Sequence, residues 1–369
     1  MRRTAFFSKE ICFWHDPGPC GPFDKPGGFI QPLAAAEHPE TKRRIRNLLE
    51  VSGLLEQLQQ PRSTPARMED LARFHTQRYL DWLQAESKKN FGDAGDCAPF
   101  RQDAFEIASH SAGLAIDAMR HVLKGEADNA YALTRPPSHH AERDRGRGFC
   151  LLGNIPVAIE TVRAEGLVKR VAVVDWDVHH GNGTEQAFYD NAEVLTISLH
   201  HEHNYPVDSG DACDRGEGDG FGYNLNIPLP PGCGGGAYRA AFEKLVLPAL
   251  ERFQPDMIVV ACGFDAAAFD PLGTMLLTSL DYAWMTGQLI EAAERLCAGR
   301  LVMTHEGGYS EGYVPFCAQA VLETLSGIKT AVVDPAAEDV SRWGGQNVQP
   351  HQLALIESLQ GHLDDISAG

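Results

Sequence analysis

Positive charge is scarce in this chain. Its 369 residues hold 32 Lys and Arg against 50 Asp and Glu, a formal net charge of −18. A phosphate backbone needs a basic surface, so this balance argues against a nucleic-acid partner; it would favour the approach of a cationic substrate, although an acidic surface taken alone more readily serves solubility. CxxC pairs are missing too: the nine cysteines are odd in number and scattered, and several sit in apolar segments (Cys262, Cys297, Cys317). That pattern argues against a disulfide framework or a zinc ribbon and reads as reduced thiols in a cytosol. No apolar run approaches membrane length, and too few apolar residues separate Arg3 from Lys9 for a signal-peptide core. The expected setting is cytoplasmic, with no membrane partner. Repeats, low-complexity tracts and linkers are also lacking, so one domain over residues 1–369 is expected. With 43% hydrophobic and 22% charged residues, there is ample chain for a large core.

Thr4 to Ser8 reads as a short first strand. Residues 11–38 are rich in Pro, Gly and aromatics and read as a long irregular loop, ordered by Trp14, Phe23 and Phe29. Pro39 then opens a helix at Glu40 to Val51. Helical spacing continues over Met68 to Ser87 and Ala104 to Leu123, with a turn-rich loop carrying Asp93 and Asp96 between them. From there strand and helix alternate. Strands are expected at Ala130 to Thr134, Arg170 to Val174, Val194 to Leu199, Asn224 to Pro228, Met257 to Cys262 and Arg300 to Met303. Helices are expected at Val157 to Ala164, Ala237 to Phe253, Leu280 to Ala298 and Val314 to Leu325. Such alternation implies an α/β domain whose mainly parallel sheet is covered on both faces. A tail over about 334–369 adds one helix, Gln352 to Leu363.

The chemistry gathers at strand ends, where an open α/β sheet binds its ligands. Asp175 to Thr184 reads DWDVHHGNGT and follows a buried strand. If the extended geometry persists through His179, alternation puts Asp175, Asp177 and His179 on one side and His180 on the other. A carboxylate and an imidazole on a common face are two ligands for a zinc-type ion. Asp265, after the strand at Met257, would be a third, leaving an open position for water; alternatively it caps the next helix. His139 and His140 follow two stiffening prolines and suit general acid–base work, although a lone HH pair is as readily ordinary surface. Tyr309 follows Gly307 and Gly308, where its phenol would donate to an oxyanion or simply pack in a loop.

Taken in order, RPPSHH, GFC at Gly148 to Cys150, DWDVHHGNGT, SLH at Ser198 to His200, GFDA, DPLG and EGGY resemble the histone deacetylase superfamily, above all class II enzymes and bacterial histone deacetylase-like amidohydrolases. The likeness runs from about residue 38 to Gly327. It implies an arginase-deacetylase fold, a three-layer domain with an eight-stranded parallel sheet, and zinc held by Asp177, His179 and Asp265. It further implies that His140 is the base and then the acid, that His139, bonded to Asp175, acts through its charge, and that Tyr309 polarises the acyl carbonyl. Asn182 stands where class II members carry an asparagine as partner of the second histidine. The resemblance also implies two potassium ions, an inner one at Asp175, Asp177, His179, Ser198 and Leu199, and an outer one at Phe188, Asn191, Val194 and Tyr223. Gly148, Phe149, Tyr205, Leu272, Gly307 and Asp96 are the expected surroundings of the substrate.

Two positions depart from that pattern. Ser138 replaces a glycine, which would strain or narrow the site if the backbone there requires positive φ or close approach. Tyr205 replaces a phenylalanine on the channel wall, so its hydroxyl needs a polar partner, in the ligand or elsewhere. The expected activity is removal of acyl groups from acylated lysine or a small acylated amine; self-association is left open. An acetylpolyamine amidohydrolase would share the metal site but is expected to need acids at the channel mouth. Leu272 occupies the gatekeeping position, although Asp93 or Asp96 would be substitutes. A regulatory protein that keeps the metal site for shape is the remaining reading.

Overall fold

All five residues of Val171–Asp175 are buried, as an unbroken apolar run requires of a strand covered on both faces. In the computed structural model, which describes residues 1–19 and 27–367, this strand lies inside a seven-stranded sheet. In chain order the strands are β1 (Thr4–Phe7), β2 (Asn129–Ala132), β3 (Val171–Asp175), β4 (Val194–His201), β5 (Asn224–Leu229), β6 (Met257–Cys262) and β7 (Leu301–His305). Across the sheet they run β1-β2-β7-β6-β3-β4-β5, every pair parallel. β3 is an interior strand, with Val173 opposite Val259 on one side and Thr196 on the other.

Alternation divides the strand residues between two cores. Tyr131, Val174, Ile197, Val260 and Met303 enter one, beneath the helices Glu40–Val51, Ser279–Leu296 and Val314–Ser326. Ala132, Val173, Val259 and Val302 enter the other, beneath Ala104–Leu123 and Asn154–Ala164. The result is one three-layer α/β domain. No helix of the described residues is long and apolar enough to cross a membrane.

The eighth strand implied by the resemblance is not formed among the described residues. Beyond β1 there is a single bridge from Ala5 to Gln59, in which Phe6 N donates to Gln59 O and Gln59 N to Thr4 O. Pro61 follows closely and has no N–H to extend a ladder.

Met68 to Ser87 is likewise two helices, Met68–Leu71 and Gln77–Glu86. Between them His75 Nε2 accepts the Gly153 N–H, while His75 Nδ1 and Thr76 N both address the Arg143 carbonyl. These partners draw the backbone out of the helix, and Thr76 Oγ1 caps the second one by accepting the Tyr79 N–H at 3.3 Å. Thr76→Ala is expected to cost about 1 kcal/mol, read as a lower urea midpoint at unchanged slope. An unchanged midpoint would refute the cap.

In the N-terminal loop, Trp14 and Phe29 are exposed, contrary to their expected anchoring role, and Phe23 lies outside the described residues. Cys12, Phe13 and His15 are buried in their place, and the carbonyls of Cys12 and His15 accept from Arg135 Nη1. The expected helix Ala237 to Phe253 runs as Gly235–Ala241, a π turn at Phe242–Val246 and Leu247–Phe253. The tail forms short helices at Ala337–Val340 and Pro350–Ser358 and a 3₁₀ turn at Leu359–Asp365, with Ile356, Leu359 and Leu363 packed into the first core.

Candidate metal and active site

β3 ends at Asp175, and the two residues that matter most follow it. His179 Nδ1 lies 3.1 Å from Asp177 Oδ1 and 3.1 Å from Asp265 Oδ2, the latter brought in by the turn after β6. Each carboxylate turns its other oxygen to a backbone donor: Asp177 Oδ2 accepts the Gly307 N–H at 2.8 Å and Asp265 Oδ1 the Val178 N–H at 2.7 Å. One ligand atom from each of the three side chains lies within 4.8 Å of the others, and all three residues are buried. Burial, followed by the Asp177 charge, pushes the Asp265 carboxyl up to about 7. Two acids facing one another out of water call for a cation between them. The space is kept by glycines, since a Cβ on Gly307 would sit 2.0 Å from Asp265 Oδ2 and one on Gly263 2.2 Å from Asp177 Oδ2. Two oxygens and a nitrogen in such a cradle fit a divalent ion of the zinc type.

The two histidines after β2 stand beside this cluster, with ring centroids 3.9 Å apart. His139 Nδ1 is 2.9 Å from Asp175 Oδ2. Burial works against its charge, but Asp177 and Asp175 outweigh burial and hold the ring up to about 10. His140 Nδ1 is 2.9 Å from Asn182 Oδ1. Burial, then His139 and His179, push His140 well below the usual imidazole range. His180 faces the other way, with Nδ1 on Ser209 Oγ at 2.9 Å.

Ser138 neither strains nor narrows the site. Its φ is not positive and its hydroxyl donates to Glu306 Oε1 at 2.5 Å. Glu306 also accepts the backbone N–H of Ser138 and of His139, and thereby fixes the start of the His-His segment. It was not among the expected site residues, because its partners lie on a different strand end.

Above the cluster is a pocket walled by Phe149, Tyr205, Leu272 and Tyr309, with His140 and His179 toward its floor. Cys97 and Asn204 also line it and had no signal in the sequence. Gly148 has φ +50, and a Cβ there would stand 2.3 Å from His140 Cδ2, so only glycine fits. Phe149 has φ +66, a strained conformation for a residue with a side chain. The Tyr309 ring meets Phe149 edge-on at 5.8 Å, and burial pushes its hydroxyl well above the usual phenol range. Behind Tyr309, Lys42 Nζ lies 5.3 Å from the ring centroid and 3.5 Å from Glu37 Oε1, which also takes Arg135 Nε at 2.8 Å. Burial raises the Glu37 pKa, but Arg135 and Lys42 overcome it and hold the group at about 2. This buried trio was invisible in the sequence.

Gly307 is not on the pocket wall; it lies beneath, against the two carboxylates. Tyr205 finds its polar partner within the chain, its hydroxyl lying 3.3 Å from both Asp96 O and Asp96 Oδ2. Asp96 Oδ2 takes Arg147 Nε at 3.0 Å as well, and Asp93 Oδ1 accepts the N–H groups of Gly95 and Ala98. Of the residues expected around potassium, Ser198 Oγ pairs with His200 Nδ1 at 2.9 Å, and Leu199 follows it in β4. Phe188 O accepts the Asn191 N–H, Tyr223 O accepts the Thr196 N–H, and Val194 opens β4.

Relatives share this architecture over nearly its whole extent. Residues 36–325 match the model of the histone deacetylase domain. A histone deacetylase-like amidohydrolase of Pseudomonas aeruginosa is 54% identical, covering 100% of this chain and 96% of the relative. Histone deacetylase 8 of Arabidopsis thaliana is 38% identical over 90% of this chain and 89% of its own length. The crystal structure of the HDA15 HD domain superposes with a TM-score of 0.85 at 30% identity, covering 98% of this chain and 95% of that one. The parallel α/β domain is thus matched in sequence and in fold, and the chain belongs to the histone deacetylase family.

Proposed function

We propose that this protein is a zinc-dependent amidohydrolase that removes an acyl group from an Nε-acyl-lysine or a similar small acylated amine. What supports the reading is the convergence of Asp177, His179 and Asp265 beneath a pocket that His140 and Tyr309 both face. A zinc ion held by those three side chains would polarise the acyl carbonyl and lower the pKa of a water. Phe149 and Tyr205 offer apolar ring faces to the methylenes of a lysine stem. His140 is neutral at pH 7, its Nδ1 occupied by Asn182, so Nε2 takes the proton of the attacking water and later delivers it to the leaving amine. His139 stays cationic beside it and favours the negative charge that builds up during attack. The Tyr309 hydroxyl stays protonated and donates to the developing oxyanion. We extend the proposal to potassium at the inner and outer positions named above, and to a cytoplasmic setting, which the free thiols support.

Leu272 on the wall supports lysine-type substrates over acetylated polyamines, and so does the engagement of Asp96 by Arg147 and Tyr205. A panel of acyl-lysine peptides against acetylated polyamines tests this. Higher kcat/KM on the peptides is expected. Preference for polyamines would overturn the substrate class, and no turnover of either would leave a regulatory metal-binding protein. Because the Tyr205 hydroxyl meets Asp96 and not the base of the pocket, Tyr205→Phe is expected to raise KM for peptides roughly threefold at unchanged kcat, the scale of one net hydrogen bond. Unchanged KM would show that the contact does not shape the rim.

A further inference from the structure

An asparagine can hold a histidine in either of two ways, by accepting from Nδ1 through its oxygen or by donating to it through its nitrogen. The choice decides which ring nitrogen of the neutral imidazole keeps the hydrogen, and so whether Nε2 is free to act as a base. The other contacts of Asn182 make that choice. Asn182 Nδ2 lies 3.0 Å from Glu142 Oε1 and 3.4 Å from the carbonyl oxygen of His140. Both partners accept only, so the amide nitrogen faces them and Oδ1 faces His140 Nδ1. Glu142 is 7% exposed and is itself held from three sides: by Arg145 Nε at 2.8 Å and Nη2 at 2.9 Å, by Arg147 Nη1 at 3.2 Å and by Gln186 Nε2 at 3.4 Å. Arg147 continues to the pocket rim, donating to Asp96 at 3.0 Å and to Asp208 at 2.6 Å.

We propose that Glu142 is a positioning residue for the acid–base step. As an acceptor with no hydrogen to give, it locks the Asn182 amide and, through it, the Nδ1–H tautomer of His140, which leaves Nε2 ready to receive a proton. The identities of residues 142 and 182 are therefore interlocked: an aspartate at 182 would face the Glu142 carboxylate out of water, whereas a glutamine at 142 would offer it a donor. This inference rests on the role proposed for His140.

The test compares Glu142→Gln, Asn182→Asp and the double variant with the wild-type protein. Tautomers are read from the imidazole nitrogen shifts of ¹⁵N-histidine-labelled protein, the His140 signals being assigned by their loss in His140→Ala. Wild type is expected to show His140 as Nδ1–H. Glu142→Gln should add the Nε2–H form and lower kcat on an acetyl-lysine peptide about tenfold, with KM within about twofold, part of what general acid–base catalysis provides. Asn182→Asp should also lose activity, and the double variant should regain most of it. A Glu142→Gln protein with a pure Nδ1–H signal and wild-type kcat would overturn the proposal. So would a double variant no better than Asn182→Asp per folded molecule, the folded fraction of each being measured by its thermal unfolding. If the wild-type protein hydrolysed no acyl amide, the amidohydrolase reading would fail, while the nitrogen spectra would still judge the Glu142 lock.

Discussion

Asp265→Ala is expected to lose bound zinc and amide turnover together. On the proposed reading the Asp265 side chain is one of three that would hold the ion, and it comes from a different strand end from the other two. Without it Asp177 and His179 remain, a pair that holds a divalent ion poorly. The Val178 N–H loses its acceptor in this variant, so its folded state is checked first by circular dichroism. Metal analysis and turnover on the same folded sample decide the matter. Full zinc content with normal turnover would remove Asp265 from the metal site.

His140→Ala is expected to lower kcat by roughly 10² to 10⁴, the usual contribution of a positioned acid–base group, with a much smaller change in KM. Proton transfer belongs to the transition state, whereas under the proposal the substrate stem would rest on the rings of Phe149 and Tyr205, which line the pocket. His139→Ala should cost less. Its ring is engaged by Asp175 at 2.9 Å and held up by the Asp177 and Asp175 charges, so under the proposal it would contribute charge and not a mobile proton. If removing His139 cost as much as removing His140, the two assignments would be reversed.

The strands were legible because a parallel strand covered on both faces is an unbroken apolar run, and each of the seven candidate runs in the sequence is a strand of the sheet. The eighth came from the resemblance alone and is reduced to the Gln59 bridge. The break at His75 and Thr76 was hidden because it is made by Gly153 and Arg143, far along the chain, and nothing in the local helical spacing reports them. At the site, Asp177, His179 and Asp265 lie just past the ends of β3 and β6 and come together, since the topology of an open parallel sheet carries such residues to one crevice. Tyr205 and Ser138 stood out as departures, but their consequences did not, because these depend on Asp96 and Glu306 as partners. The same holds for Glu142, Glu37, Lys42 and Arg135. A buried acid looks like a surface acid until the fold supplies the arginine or amide that keeps it there.

The most direct test of zinc-dependent amide hydrolysis is to strip the purified protein with a chelator and add zinc back while following an acetyl-lysine peptide. Turnover should vanish on removal and return to its original value, saturating at about one equivalent per chain, as one three-ligand site requires. Undiminished hydrolysis by the metal-free protein would contradict the account.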